Sequence, residues 1–265
     1  MRKPHHARAF SLVELSIVLV ILGLLVGGVL SGQALIRAAQ LRNVATEYNK
    51  FFTASHSFKD KYFAIPGDMT NATAFWGFAD NGDGLGSDCR DAQTNDRRTC
   101  NGNGNGLIAN YPDHESTRFW QHLTNAGLIE GNYLGTTFNA VTLCDTLSPG
   151  CLFPGSKSGR GLWLVGTHSS LGYTYSYYWG KTAFYITVNY LLDPNLGFNF
   201  TPEEAWNIDT KLDDGRPGLG KVMASRTGQC DTSGINATDD ASRNSALYRL
   251  TNRATECVLF FTDPF

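Results

Sequence analysis

The stretch RAFSLVELSIVLVILGLLVGGVLSGQALIR, from Arg8 to Arg37, decides how the rest of this 265-residue chain is organised. It contains one acidic residue, Glu14, which is followed by 22 residues without a charge. As a helix those residues span about 33 Å, close to the thickness of a bilayer core. Before Phe10 the chain carries basic side chains and no acidic one. We therefore expect the amino terminus in the cytoplasm and the residues after Arg37 on the other side of the membrane.

Two general explanations of this apolar stretch are open. A secretory signal peptide ends in small residues that are cleaved after the apolar run, and Ser31–Ala34 is only a poor version of such a site. A plain signal anchor fits the length and the flanking charges, but it has no use for the carboxylate of Glu14. Neither explanation accounts for every feature of the stretch.

The residues from Phe10 onward, FSLVELSIVLVILGLL, support a third explanation, because they resemble the N-terminal segment of type IV pilins and type II secretion pseudopilins. The resemblance covers about Arg8 to Gln33 and requires a Phe, a Glu and an uninterrupted apolar run together. It implies that a prepilin peptidase removes the basic leader between Ala9 and Phe10 and then methylates the new amino group of Phe10. The family usually has Gly at the position of Ala9, and both residues are small.

The resemblance also implies a role for Glu14 in assembly. A carboxylate at membrane depth costs several kcal/mol unless it is paired. Cleavage would create a charged amino group at Phe10, which can meet Glu14 of a staggered neighbouring helix. Such pairing would favour lateral association and fix the register of the subunits. The alternative is that Glu14 lies at the lipid interface and reaches the headgroups.

Composition supports an exported, non-nucleic-acid-binding protein. Without the leader, 19 basic residues stand against 24 acidic ones, a net charge of −5, so no nucleic-acid partner is expected. The six cysteines all lie beyond residue 88, and an even number on the outer side of a membrane indicates disulfides. We favour the pairs with the shortest closures, which are Cys89–Cys100, Cys144–Cys151 and Cys230–Cys257. The last pair also brackets the C-terminal region as the terminal disulfide loop of pilins does.

The pattern beyond Arg37 predicts an α+β fold. Apolar residues recur every three or four positions, so the long helix continues as an amphipathic half and ends at Pro66–Gly67. Successive strands without helices between them indicate an antiparallel meander packed on that helix. The apolar stripe consists of Leu41, Val44, Tyr48, Phe51 or Phe52, Ser55, Phe58 and Tyr62, and the predicted strands are Gly161–Gly166, Tyr173–Trp179, Ala183–Leu191 and Val258–Thr262.

The predicted organisation has three segments. Residues 1–9 form a prepilin leader, and residues 10–36 form the transmembrane and assembly half of the helix. Residues 37–265 form a periplasmic or extracellular pilin-like head, which includes the amphipathic half-helix and long disulfide-stapled loops.

One stretch of the head is a candidate calcium loop. Asp80, Asn81, Asp83 and Asp88 supply oxygen ligands, and the glycines between them permit tight turns. The stretch lacks the Glu that ends an EF-hand loop, so a solvated cluster of turns is the competing interpretation. We expect no other cofactor.

The head shows no catalytic pattern. Its histidines do not share a metal-binding spacing. We interpret Asp209, Asp213 and Asp214 as the solvated face of a helix. The tyrosines within Tyr173–Tyr178 are better explained by strand packing than by a sugar site. We therefore expect no enzymatic activity.

These patterns predict a structural subunit of a type IV pilus-like or type II secretion pseudopilus filament. The helix would hold it in the inner membrane, in contact with lipid, before assembly into a filament in the periplasm or on the cell surface. Implied partners are copies of itself, other pilins or pseudopilins, the prepilin peptidase and an inner-membrane assembly platform. The alternative is a membrane-anchored extracellular hydrolase or carbohydrate-binding module. Pilus or pseudopilus, and major or minor subunit, stay open.

The cleavage site gives the first testable prediction. We expect a mature chain that begins with N-methylated Phe10, because the leader is basic and the small Ala9 fits a peptidase site. Intact-mass and terminal-peptide analysis would establish it. A mature terminus near Gln33 or Ala34 would instead indicate an ordinary signal peptide.

Overall fold

The computed structural model describes residues 11–79, 97–109, 115–135, 152–158, 161–167, 182–187, 199–224, 229–233 and 240–265. The chain divides into two compact units, Met1–Gln40 and Leu41–Phe265. The described helices are α1 (Leu12–Tyr62), α2 (Ala72–Trp76), α3 (Glu115–Asn125), α4 (Pro202–Leu212) and α5 (Asp240–Ser245), and the strands are β1 (Leu162–Thr167), β2 (Thr182–Thr187), β3 (Val222–Ala224) and β4 (Leu259–Thr262). The fold is α+β, as the sequence predicts. The predicted segment boundaries at residues 9 and 36 stay predictions.

Helix α1 is a single helix of 51 residues with two kinds of surface. Every Leu, Val and Ile side chain between Leu12 and Ile36 is more than half exposed. After residue 41 one face of the helix is buried, and this face confirms the predicted stripe with Val44, Tyr48, Phe51, Ser55 and Phe58.

The end of α1 differs from the prediction. The helix stops at Tyr62 rather than at Pro66–Gly67. Phe63 adopts a φ of 52°, a left-handed conformation that cannot continue a right-handed helix. The turn therefore begins three residues before the proline.

The four described strands form one antiparallel sheet in the order β1-β2-β4-β3. Strands β1 and β2 pair directly, with Leu162 opposite Thr187, whereas the predicted meander places the strand Tyr173–Trp179 between them. The final strand predicted at Val258–Thr262 is present as β4. The C-terminal strand β4 lies between β2 and β3, so Phe261 is opposite both Phe184 and Val222. The three-residue strand β3 was too short to give an alternating pattern in the sequence, and the predicted strand Tyr173–Trp179 lies outside the described residues.

Aromatic side chains join the amphipathic half of α1 to the sheet and to α3. The ring centroid of Phe51 lies 4.9 Å from Trp120, 5.5 Å from Trp163 and 6.3 Å from Phe184. Trp120, Trp163 and Phe184 are completely buried. Phe51 therefore lies where α1, α3 and two strands meet, which is the centre of the core.

Helices α4 and α3 each have a residue of cap type at one end, and α2 is only partly buried. Thr201 and Glu204 form a capping box at the start of α4. Gly127 follows α3 with a φ of 73°, the conformation in which glycine ends a helix. Phe75 in α2 is 54% exposed. The five-residue α2 has one buried side, and Trp76 is half-buried there.

The C-terminal disulfide is present between Cys230 and Cys257, whose Cα atoms lie 5.1 Å apart, as the sequence predicts. Cys100 is also disulfide-bonded. Cys89, Cys144 and Cys151 lie outside the described residues, so the pairs Cys89–Cys100 and Cys144–Cys151 stay predictions.

The position of Phe51 gives a stability prediction. Phe51→Ala should lower the free energy of unfolding by about 3 to 5 kcal/mol, because it leaves a cavity between three aromatic rings. Phe63→Ala is a matched control, because the Phe63 side chain is 92% exposed. Its positive φ is unfavourable for Phe and for Ala alike, so the substitution does not change the backbone strain at this position. Denaturant unfolding of the full-length protein in detergent measures both changes. Similar losses for the two variants would contradict this account of the core.

Candidate processing and assembly site

The first turn of α1 contains the acidic residue that the sequence singles out. The Ser11 backbone N–H donates to Oε2 of Glu14 at 2.9 Å. The Val13 N–H donates to Oγ of Ser11 at 3.3 Å, and the Leu15 N–H donates to the Ser11 carbonyl at 3.1 Å. Backbone N–H groups in the first turn have no partner within the helix, and side-chain acceptors satisfy two of them here.

This geometry places Glu14 in a local role that the sequence analysis missed. Its carboxylate lies at the helix N-terminus, where the macrodipole favours a negative charge. The spacing of Ser11 and Glu14, a Ser followed three residues later by a Glu, is the signal that could have revealed this role. The predicted role of Glu14 in assembly stays a prediction. Ala9 and Phe10 lie outside the described residues.

The following part of α1 has an apolar and uncrowded surface. The helix Leu12–Tyr62 is long and apolar enough to cross a membrane, a property that signal sequences near an amino terminus share. A Cβ atom added at Gly23, Gly27, Gly28 or Gly32 would meet no atom within 4 Å. Small residues at such positions let the backbone of a neighbouring helix approach closely.

The family model described as the prokaryotic N-terminal methylation motif matches residues 4–30, which include Ser11 and Glu14. The chain carries a prokaryotic N-terminal methylation motif. This motif is the hallmark of type IV pilins and pseudopilins, so the resemblance stated from the sequence is confirmed for this segment. No curated protein and no solved structure matches the chain.

Within the head, a buried carboxylate anchors the amphipathic half of α1. Glu47 is 8% exposed. Its Oε2 accepts from Nε1 of Trp163 at 3.0 Å and from Oγ of Ser156 at 3.3 Å, and its Oε1 accepts from the Lys157 N–H at 3.0 Å. Burial raises the pKa of the Glu47 carboxyl, and the bond from Trp163 opposes the rise. Glu47 is not part of the apolar stripe, and donors from the head make its burial possible.

A second carboxylate closes a glycine-rich loop. Oδ1 of Asp68 accepts from the N–H groups of Gly104 and Asn105 at 2.6 and 3.1 Å, and Oδ2 accepts from that of Gly106 at 2.8 Å. Gly104 and Gly106 have φ values of 72° and 80°, which favour glycine. At Gly102 an added Cβ would lie 2.4 Å from the Asp68 backbone. The chain fills this cradle with its own carboxylate, so the loop is structural.

The predicted solvated face at Asp209, Asp213 and Asp214 is wrong for its first member. Asp209 is fully buried and accepts from the Tyr248 hydroxyl at 2.8 Å and from the Gly215 N–H at 3.1 Å. Burial raises the pKa of Asp209 to about 7, and the bond from Tyr248 opposes the rise. One ligand atom from each of the three carboxylates lies within 4.8 Å of the others. Tertiary packing of α4 against the Tyr248 segment hides Asp209, which a helix pattern alone does not show.

The other sequence-predicted sites lie outside the residues that the structure describes. The candidate calcium ligands Asp80, Asn81, Asp83 and Asp88 lie outside the described residues, and so do the tyrosines of Tyr173–Tyr178. The calcium loop therefore stays a prediction.

His122 is a buried histidine with a structural role. Its Nδ1 accepts from the Gly67 N–H at 2.9 Å, and its Nε2 lies 3.0 Å from Oγ1 of Thr99. Burial, with the nearby Arg118 charge as the second cause, lowers the pKa of His122 to about 3. The ring is therefore neutral at physiological pH and joins the turn after α1 to α3.

The low pKa of His122 predicts a loss of stability in acid. An unfolded histidine has a pKa of about 6.5, so below that pH the unfolded state binds a proton that the folded state refuses until about pH 3. This residue alone should cost about 2 kcal/mol between pH 7.5 and pH 5. His122→Asn keeps an acceptor for Gly67 and cannot titrate, so its free energy of unfolding should fall by about 2 kcal/mol less over that range. Denaturant unfolding in detergent at both pH values tests this, and an equal fall in both proteins would contradict it.

Proposed function

We propose that the chain is a non-enzymatic structural subunit of a type IV pilus-like or type II secretion pseudopilus filament. A prepilin peptidase would cut it between Ala9 and Phe10 and methylate Phe10, and α1 would then assemble it with other subunits. The observation that carries this proposal is the methylation motif at residues 4–30, which leads into a helix with exposed apolar side chains from Leu12 to Ile36.

The apolar surface of α1 requires an environment other than water. A contiguous apolar patch of this extent marks a membrane or protein contact. The uncharged part of the helix matches a bilayer core of about 30 Å before assembly. Packing against the same helix of other pilin-like subunits would keep this surface out of water after assembly. The same apolar surface of α1 would therefore contact lipid before assembly and other subunits in the filament.

The proposed membrane topology is supported by the basic residues before Phe10 and by the disulfide of the head. The basic residues before Phe10 favour a cytoplasmic amino terminus, which puts the head in the periplasm beside an inner-membrane assembly platform. The Cys230–Cys257 disulfide supports an oxidising compartment for the head.

The buried ionisable residues support a structural role for the head. Glu47 and Asp209 hold hydrogen bonds from neighbouring elements, and His122 links the turn after α1 to α3. Each of these side chains therefore joins separate elements of the head. In the part of the chain that the structure describes, no observation favours the hydrolase or carbohydrate-binding alternative.

Replacement of Glu14 tests assembly apart from anchoring. Glu14→Gln should insert and be cut at Phe10 as the wild type is, because a neutral amide is cheaper in lipid than a carboxylate. It should fail to form filaments, because the Phe10 amine of a neighbour would be left without a charged partner at a cost of about 3 kcal/mol per subunit. Shearing cells and comparing the released filament fraction with the membrane fraction measures this.

A matched control removes an exposed charge from the head. Glu130→Gln should leave the filament yield unchanged, since Glu130 is exposed and lies outside α1. A normal filament yield from Glu14→Gln would leave Glu14 without an assembly role.

A further inference from the structure

The loop that Asp68 closes contains three consecutive Asn-Gly pairs, which are Asn101–Gly102, Asn103–Gly104 and Asn105–Gly106. An asparagine followed by a glycine is the pair most prone to spontaneous deamidation, because glycine has no side chain to hinder its backbone nitrogen. Asn103 and Asn105 are exposed. Composition and exposure alone would therefore predict rapid modification of this loop.

Deamidation needs no reactant other than water. The glycine nitrogen loses its proton and bonds to Cγ of the preceding asparagine, which closes a succinimide ring. The bond from Cγ to the side-chain nitrogen breaks, and that nitrogen takes up a proton and leaves as ammonia. Water then adds to one of the two ring carbonyls and gives aspartate or isoaspartate. The reaction therefore requires a glycine nitrogen that can lose its proton and an asparagine side chain that can turn towards it.

Asp68 holds the attacking nitrogens of two of the pairs. The Gly104 N–H donates to Oδ1 of Asp68 at 2.6 Å, and the Gly106 N–H donates to Oδ2 at 2.8 Å. Loss of the proton from either nitrogen would place a second negative charge beside a carboxylate that is only 5% exposed. Like charges this close disfavour each other strongly where water is excluded. Asp68 therefore opposes the first step of the reaction at both glycines.

The asparagine side chains of these two pairs are also held. Oδ1 of Asn103 accepts from the Asn105 N–H at 3.0 Å, and Oδ1 of Asn105 accepts from the Leu107 N–H at 2.8 Å. To close the ring, Cγ must reach the nitrogen of the next residue, which breaks this bond as well as the bond to Asp68. Both reacting groups are therefore fixed in other contacts.

We propose that Asn103 and Asn105 are latent deamidation sites, which the Asp68 carboxylate keeps unreactive while the head is folded. Isoaspartate at either position would add one carbon atom to the main chain and shift the following N–H groups away from Asp68. It would also add a negative charge to a loop that already binds one. A modified loop would therefore not close again, so the modification would mark a head that had opened. The inference concerns the folded head and does not rest on filament assembly.

The first Asn-Gly pair has different contacts and serves as an internal reference. The Gly102 N–H donates to the Met69 carbonyl at 2.8 Å, and Oδ1 of Asn101 accepts from the Thr73 N–H at 3.0 Å. Backbone groups hold this pair, so its reactivity should depend less on the charge of Asp68.

The wild-type chain gives a test without any substitution. Full-length protein in detergent would be incubated at mildly alkaline pH, either folded or unfolded in guanidinium chloride with its disulfides intact. Peptide mass spectrometry would follow the conversion of amide to acid at each asparagine, and an isoaspartyl methyltransferase would label the isoaspartate. Conversion at Asn103 and Asn105 should be at least about tenfold slower in the folded chain, a factor that corresponds to about 1.4 kcal/mol. Equal rates would overturn the inference.

Asp68→Asn tests the carboxylate itself. The variant keeps the size of the side chain and one acceptor oxygen, but it loses the negative charge. Conversion at Asn103 and Asn105 in the folded variant should rise by about tenfold, and conversion at Asn101 should rise less. Asp60→Asn is the matched control, since Asp60 is exposed on α1 and the substitution removes the same charge. It should leave all three rates unchanged.

The pattern across the three asparagines decides the role of Asp68. Unchanged rates in Asp68→Asn would overturn the inference. An equal rise at all three asparagines would overturn it as well, because a general loss of structure in the head would then account for the change. Where Asp68→Asn does not fold, equal rates in the folded and unfolded wild type would still overturn the inference.

Discussion

The rest of the structure depends on one constraint, which is that the single helix α1 must suit two different environments. From Leu12 to Ile36 exposed apolar side chains occur on every side of the helix, as a helix in lipid or among other helices requires. From Val44 to Phe58 only one side is buried, and that side packs in the core of the head. The change from an all-round to a one-sided apolar pattern occurs without a break in the helix.

Buried carboxylates make the second half of that helix and the following loops specific. Glu47 and Asp209 are each buried and bonded to an aromatic side chain, Trp163 or Tyr248, and to a backbone N–H. Asp68 instead collects backbone N–H groups from the glycine-rich loop. A buried acid without donors costs several kcal/mol, so each of these contacts favours one arrangement of loops over the alternatives. This explains how the described loops of the head, which contain many Gly, Asn and Asp residues, keep a defined structure.

The start of α1 combines helix-capping contacts and a negative charge in very few residues. Ser11 and Glu14 supply side-chain acceptors for two N–H groups at the start of the helix, those of Val13 and Ser11. The same Glu14 is the only acidic residue of the long apolar stretch. This short motif therefore places the start of the helix and a negative charge at the same point of the chain.

The sequence by itself determined the features that depend on local pattern. The charge-free run after Glu14, the apolar stripe from Val44 to Phe58, the capping box at Thr201 and the Cys230–Cys257 pair all follow from spacing or from residue type. Such features reflect helix period, cap chemistry and short loop closure, which involve residues close in the chain.

Only the tertiary structure decided the features that join distant segments. The place of β4 between β2 and β3 depends on which edges are free once the other strands have paired. The burial of Glu47 and Asp209 depends on donors that lie 116 and 39 residues away, at Trp163 and Tyr248. Periodicity assigns an acidic residue to the solvent side, because it does not record which partners the fold will bring to it. That is the physical reason why the anchors of the head emerged only from the packed structure.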